Sequence, residues 1–288
     1  MPKASIIIRN VLPEDKEKIM PFCVNTFDWG DYIDDVFDTW VEDKESHFIL
    51  AELDGAPVGI LHIRVMKHGN SWMEGLRVAK DRRGQGIATM LTNAAIEILR
   101  RSGCTTTRIA IESNNMPSMS LAGKIGFREE SDWLFYHSRK PLTKHHTSSI
   151  WASKGNADKL WNYLDGSDLF NRIGRAYEFN WALYPLEKDE FNDAITTKEI
   201  AFSKISREMA ISIAQVDPFN PHDLLVCVLT GGILDTKDLL HFLLSEAVKV
   251  GIKKVYVSSP NNPEIVAGIK SAGFKASHTS TIIFVKNI

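Results

Sequence analysis

Arg82-Arg83-Gly84-Gln85-Gly86 is the stretch whose residue types and spacing could do chemistry. It lies between a β-prone run, Met73 to Val78, and a run in which Ile87, Met90, Leu91, Ala94, Ala95, Ile98 and Leu99 recur at helical spacing. That pattern predicts a strand, a turn, and a helix beginning at or near Gly86. The first turn of a helix leaves backbone N–H groups unpaired and carries the positive end of the helix dipole, so it attracts an anion. Gly84 and Gly86 lack the Cβ atoms that would hold a phosphate off, and Arg82 and Arg83 bring guanidinium groups that pair with phosphate oxygens. The turn suits a diphosphate. Thr89 stands where a dinucleotide fingerprint needs a third Gly or Ala, and no Gly-Lys-Ser/Thr follows, so a different diphosphate carrier is expected.

A second pattern follows in order: a strand Thr107 to Glu112, then Asn114-Asn115, then a helix over 116–125 closing on Ile125-Gly126-Phe127. With Arg83-x-x-Gly86-x-Ala88 placed after Leu76-Arg77-Val78, this resembles the two cofactor motifs of the GNAT superfamily of N-acetyltransferases, over about residues 6–140. The resemblance implies an α/β fold with a mixed sheet, of the acyl-CoA N-acyltransferase type, and acetyl-CoA as co-substrate with no metal. It implies that Arg83, Gly84, Gln85, Gly86, Ile87, Ala88 and Thr89 take the pyrophosphate. Leu76, Arg77 and Val78 would pair with the pantetheine arm as with another strand. The Val78 N–H would meet the thioester carbonyl, and Asn115 and Ser118 would contact the pantetheine or thioester side.

By the same resemblance Glu74 is a general base or an anchor for the amine, and strand periodicity places it on one face with Leu76 and Val78. The segment that roofs the substrate site in this family corresponds here to Asp28, Trp29, Asp31, Tyr32, Asp34 and Asp35, of which Trp29, Asp31 and Tyr32 are expected to bind substrate beside Glu74. The same residues also read as a capped helix start with packing aromatics. One departure stands out. The family's thiolate-protonating Tyr falls on Ala122, leaving Ser118, Ser120, Tyr136 or water as substitutes. A thiol of pKa ~8.5 leaves adequately without an acid.

Composition fits this reading. With 288 residues, 44% hydrophobic and 24% charged, the chain is an ordinary globular protein with room for two domains. A net charge of −2 gives no case for nucleic acid or an anionic membrane as partner. The longest apolar segment, Leu224 to Leu234, is too short to span a bilayer. Cys23, Cys104 and Cys227 read as reduced core thiols, and the start lacks a signal h-region, so a cytoplasmic location is expected. His145-His146, being adjacent, do not face one metal site.

The elements that must position the site also follow. A strand over Ile6 to Arg9, a helix from Pro13 to about Thr26, and a helix bearing Phe37 and Trp40 precede a hairpin, His47 to Leu53 and Pro57 to Lys67, over Asp54-Gly55. Trp133 to His137 reads as the last strand of the first half. The second half then repeats the first: Gly232 to Gly251 parallels Gly84 to Gly103, and Ala272-Gly273-Phe274 parallels Ile125-Gly126-Phe127. Its loop has no Arg and carries Asp235, so it is expected to be degenerate. Two tandem domains result: 1–143 binding acetyl-CoA, a polar linker 144–157, and a degenerate copy 158–288. An active first domain with a decayed second resembles the histidine N-acetyltransferase group. The expected reaction is acetyl transfer to a primary amine, a small molecule or amino acid being favoured by the acidic, aromatic roof. A protein N-terminus or lysine, and a CoA-binding sensor or scaffold, are the alternatives.

Overall fold

A computed structural model describes residues 5–24, 26, 30–139, 144–277 and 279–288. Two compact units are interleaved along the chain. Residues 1–109, 117–128 and 285–288 make up the first, and 110–116 and 129–284 the second.

In the first unit β1 (Ile6–Asn10), β2 (Ser46–Leu53), β3 (Ala56–Val65) and β4 (Asn70–Val78) are antiparallel neighbours in that order, and β5 (Thr106–Glu112) joins β4 in parallel. The β2–β3 hairpin closes over Asp54 and Gly55, both at positive φ (51° and 80°), the geometry that Asp-Gly favours. The helix expected from Pro13 to Thr26 is instead a 3-10 turn at Pro13–Asp15, a single turn α1 (Lys16–Ile19) and a second 3-10 turn at Met20–Phe22. Pro21 is the reason, since it offers no N–H and crowds the preceding turn. α2 (Ile33–Glu42) buries Ile33, Phe37 and Trp40 at helical spacing against Phe48, Leu50 and Ile60. α3 (Ile87–Arg101) lies on the opposite face, burying Ile87, Leu91, Ala95 and Leu99. It is followed by α4 (Met116–Lys124).

The chain's last residues complete this unit. Lys286 Nζ donates to the Ile125 carbonyl (2.8 Å), and the Ile288 N–H to the Thr105 carbonyl (2.9 Å).

In the second unit β6 (Arg128–His137), longer than the strand expected there, pairs antiparallel with a strand at Lys254–Pro260, Trp133 opposite Pro260. The stretch after it is held rather than loose. The His145 N–H donates to Ser245 Oγ (2.8 Å) and Ser149 Oγ to Asp238 Oδ2 (2.6 Å), and β7 (Ile150–Trp151) is an edge strand. Lys140 to Thr143, the end of the expected first domain, lie outside the described residues. α5 (Ala157–Asp165), α6 (Asp168–Arg172), the hairpin β8 (Ala176–Phe179) and β9 (Ala182–Pro185), and α7 (Lys188–Thr196) follow. The sheet then runs through β10 (Ile200–Ser203), β11 (Ala210–Val216), β12 (Asp223–Thr230) and β13 (Lys254–Pro260), with α8 (Ile233–Lys249) and α9 (Pro263–Ser271) packed on it. β14 (Lys275–Ala276) pairs with β6, and β15 (Thr281–Asn287) ends the chain.

The positions that the repeat pairs are alike in backbone terms. α3 and α8 are 15 and 17 residues long, and each is followed by a left-handed glycine, Gly103 (φ 78°) and Gly251 (φ 79°). The glycines of the two x-Gly-Phe closures match as well, at φ 87° and 89°.

Glu178 on β8 introduces a pH dependence. Burial pushes its carboxyl up to about 7, against hydrogen bonds from Ser258 and from the Trp181 N–H (2.7 Å). A carboxyl raised in the folded state adds stability that is complete below its unfolded pKa of about 4.5 and is lost as pH rises through about 7. The difference corresponds to about 3 kcal/mol at most. Glu178→Gln should therefore be more stable than the parent at pH 8 and close to it at pH 4.5, in urea unfolding at both pH values. Equal stabilities at pH 8 would count against a buried, titrating Glu178.

Candidate active site

Gly75 decides the geometry of β4. It sits at φ 68°, and opposite it the register with β3 slips, Glu74 facing His62 and Arg77 facing Ile60. Three steps on β4 thus span two on β3, a bulge. A Cβ at Gly75 would lie 2.7 Å from the Trp40 ring, so only glycine admits both the bulge and the packing of α2. The bulge resets the alternation of side chains. Glu74 consequently shares a face with Arg77 and α2, and not with Leu76 and Val78 as strict alternation predicts. β4 also parts from β5, its parallel pairing covering Asn70 to Trp72 against Thr106 to Arg108 and then stopping. From Met73 to Val78 the strand has β3 on one side and, among the described residues, no paired strand on the other.

The loop beyond that edge is as the spacing predicts. Gly86 is the N-cap of α3 at φ 81°, Gly84 lies at φ 76°, and a Cβ at either would meet nothing within 4 Å. Arg83, Gly84, Gln85 and Gly86 are exposed, while Ile87 is buried and anchors the first turn. Ala88 and Thr89 are half-buried in that turn. Arg83 Nε donates to the Val78 carbonyl (3.2 Å), which brings the arginine, the strand end and the helix start together. Among the described residues, an open glycine cradle, helix N–H groups without partners and a guanidinium edge free of bonds fit a diphosphate, and the one-sided strand fits an extended pantetheine arm.

On the α2 face lies a polar cluster walled by aromatics. Arg64 Nε and Nη2 donate to Glu74 Oε1 (2.6 Å) and Oε2 (2.7 Å), a two-bond fork. His62 Nδ1 lies 3.0 Å from Glu74 Oε1, and its Nε2 3.0 Å from Ser46 Oγ. Burial lowers the His62 pKa against the pull of Glu74, so the ring is neutral. Since the carboxylate only accepts, Nδ1 carries the proton and Nε2 accepts from Ser46. The Trp40 ring stacks on His62, centroids 4.0 Å apart and planes 3° off parallel. Burial alone would raise the Glu74 pKa, but the hydrogen bonds from His62 and Arg64 and the charge of Arg64 outweigh it and bring it down to about 2.

Beside it, Arg77 Nε and Nη2 donate to Asp31 Oδ2 (2.8 Å) and Oδ1 (2.9 Å), both side chains under a tenth exposed. Burial opposes that pair's ionisation, yet Arg77, Thr26 and the Ile33 N–H hold the Asp31 carboxyl below its usual range. Tyr32 has the Arg77 guanidinium 5.3 Å from its ring, and burial, then the nearby Glu74 charge, pushes its hydroxyl up to about 12.

The sequence-predicted residues therefore fall into groups. Leu76, Val78, Arg83, Gly84, Gln85, Gly86, Ile87, Ala88 and Thr89 gather around the β4 edge and the α3 start. Glu74, Asp31, Tyr32 and Arg77 gather on the α2 face, where the Asp31 carboxylate is taken up by Arg77 and the Arg77 guanidinium is turned away from the phosphate loop. Trp29 and Asp28 lie outside the described residues. Asn115 is half-buried in the turn before α4, its N–H bonded to the Glu112 carbonyl (2.8 Å), and Ser118 is in the first turn of α4. Ala122 is buried, and Tyr136 belongs to the apolar core of the second unit, which removes it as a proton donor. His62, Arg64 and Ser46 were not anticipated. The available signal was two polar residues, His62 and Arg64, spaced by two in the otherwise apolar run Ile60 to Val65.

Comparison with known proteins adds to this geometry. Residues 13–127 match the family described as Acetyltransferase (GNAT) family. Over 93 residues the chain is 31% identical to a histidine N-acetyltransferase of Xenopus tropicalis, covering 31% of this chain and 29% of that protein. It is 30% identical over 88 residues to that of Oreochromis niloticus, covering 30% and 26%. The chain thus spans under a third of the length of these curated relatives. In fold, it superposes on a GCN5-related N-acetyltransferase of Sphaerobacter thermophilus with a TM-score of 0.66 at 13% identity, covering 98% of this chain and 95% of that one. A glucosamine N-acetyltransferase region of a fungal multi-domain β-N-acetylglucosaminidase gives 0.66 at 12%, covering 99% of this chain and 38% of that one. Among the described residues no group of His, Cys, Asp and Glu could hold a metal ion, and no helix is long and apolar enough to cross a membrane.

Proposed function

We propose, from a chain whose residues 13–127 belong to the acetyltransferase (GNAT) family, that it is an acetyl-CoA-dependent N-acetyltransferase acting on a small primary amine or amino acid. The observation that carries this is the open Gly84–Gly86 turn at the α3 start, set beside the one-sided edge of β4. Acetyl-CoA would supply the activated acetyl thioester. Arg83 and the N–H groups of the α3 start would hold its diphosphate, and Leu76 and Val78 its extended arm, with the Val78 N–H toward the thioester oxygen. Asn115 and Ser118 are proposed contacts on the same side, and Trp29, Tyr32 and Glu74 on the side of the amine. Asp31 enters this reading through Arg77, as part of the wall.

Residues 1–143 are on this reading the catalytic half and 158–288 a decayed copy. Histidine is the first amine to try, since the two relatives are histidine N-acetyltransferases. The test is steady-state release of free CoA from acetyl-CoA with L-histidine, other amino acids, small amines, and peptides bearing a free N-terminus or lysine. Release with small amines is expected. Release only with peptides would move the substrate class, and release with none, alongside acetyl-CoA binding, would favour a CoA-binding sensor or scaffold.

A further inference from the structure

We infer that His62 and Arg64 are positioning residues that fix Glu74 as a standing anion, which anchors the ammonium of the substrate at Oε2 and does not take its proton. The inference rests on the acetyltransferase reading for the identity of the cation. Among the described residues Oε1 already accepts from Arg64 Nε and His62 Nδ1, and Oε2 from Arg64 Nη2 alone. A carboxylate offers about four lone-pair sites, so one acceptor position remains, on Oε2. The Glu74 side chain is 13% exposed, enough for one incoming N–H donor.

The surroundings act in one direction. From β3 come His62 and Arg64, from β2 Ser46 behind His62, and from the residue before α2 the un-ionised Tyr32. α2 contributes the uncharged Trp40 behind His62, and Asp43 acts on His62 at longer range. With its carboxyl at about 2, Glu74 would hold a proton taken from an ammonium of pKa ~8 about once in a million partitions. The N–H bond of the ammonium therefore breaks to water, its electron pair staying on nitrogen for attack on the thioester carbon. Glu74 stabilises the cation on arrival and orients the amine.

Carbon-13 NMR of the Glu74 carboxyl, assigned by its loss in Glu74→Gln, tests the inference without turnover. No titration of that carboxyl is expected between pH 4 and 9. In Arg64→Met its midpoint should rise by about two pH units, because of the groups that hold it down only the His62 hydrogen bond then opposes burial. Arg64→Lys, which keeps a charge without the fork, should give a smaller rise and serves if the Met variant fails to fold. Kinetically, the parent's kcat/KM with the best amine of the panel should follow only the ionisation of that amine, and Arg64→Met should gain a new limb. Glu74→Gln should raise amine KM by about 10-fold or more with kcat little changed. A Glu74 carboxyl titrating between pH 5 and 8 in the parent, an unmoved midpoint in both Arg64 variants, or a 100-fold fall in kcat at constant KM in Glu74→Gln would overturn it. Absence of turnover with every amine would sink the acetyltransferase reading, and the NMR result would still decide the state of Glu74.

Discussion

Arg83→Glu should abolish most of the thermal stabilisation that acetyl-CoA confers on the native protein. A ligand that binds only the folded state raises its stability by mass action, about 2.7 kcal/mol at a free concentration 100 times Kd. For a chain of this size that corresponds to a rise in Tm of roughly 5–10 °C. Arg83 is exposed and, among the described residues, its side chain bonds only the Val78 carbonyl, so the variant should keep the parent's Tm without ligand. A hydrogen bond to a charged phosphate contributes roughly 1.5–3 kcal/mol. Placing a carboxylate there loses that bond and adds repulsion at the mouth of the α3 turn, for a combined weakening of about 100-fold or more. At the same acetyl-CoA concentration the shift should then fall to about 1 °C. Scanning fluorimetry of parent and variant over an acetyl-CoA titration is the measurement. A full shift in the variant would take Arg83 out of the diphosphate site.

What was legible in the sequence depended on local chemistry. The Gly84–Gly86 turn, the α3 start and the Asp54-Gly55 hairpin are set by backbone freedom and by side chains a few residues apart, and each stands where spacing placed it. Glu74 was found as a residue but given the wrong face. Strict alternation was carried through Gly75, although a glycine inside a strand is itself the signal of a bulge. The partners of Glu74 come from another strand, and which strands become neighbours is a non-local outcome that residue spacing on β4 cannot report. His62 and Arg64 could be picked out as polar residues in an apolar run, but their convergence on one carboxylate could not. The same limit explains the interleaved units. Nothing near residue 130 shows that β6 will pair with β13, and nothing near residue 286 shows that the chain's end will cap the Ile125 turn.

The second large effect concerns stoichiometry and truncation, and calorimetric titration of the full chain with acetyl-CoA should give one site. In the second unit the turn equivalent to Gly84–Gly86 is already filled. Asp235, fully buried in the first turn of α8, accepts from the Ile205 N–H (2.6 Å) and the Ser206 N–H (3.1 Å), so its carboxylate occupies the place of an anion. A Cβ at Gly231 would lie 2.5 Å from Thr236 Oγ1, leaving no cradle, and Glu208 and Glu264 stand 3.5 and 3.7 Å from a Cβ placed at Gly232. The hydrogen bond between those two carboxyls raises the Glu208 pKa, a sign of mutual repulsion that a diphosphate would add to. The one remaining site nevertheless needs the far end of the chain. Deleting residues 281–288 removes Lys286 from the Ile125 carbonyl and Ile288 from the Thr105 carbonyl, at the closing turn of α4 and the start of β5. Residues 1–143 alone lack that strand and leave β6 without β13, exposing Trp133 and Tyr136, both buried in the intact protein. Both truncations should therefore aggregate or lose the acetyl-CoA shift outright. Two equivalent sites in the full chain would remove Asp235 as a block, and full cofactor binding by the 281–288 deletion would show that the first unit closes without its last strand.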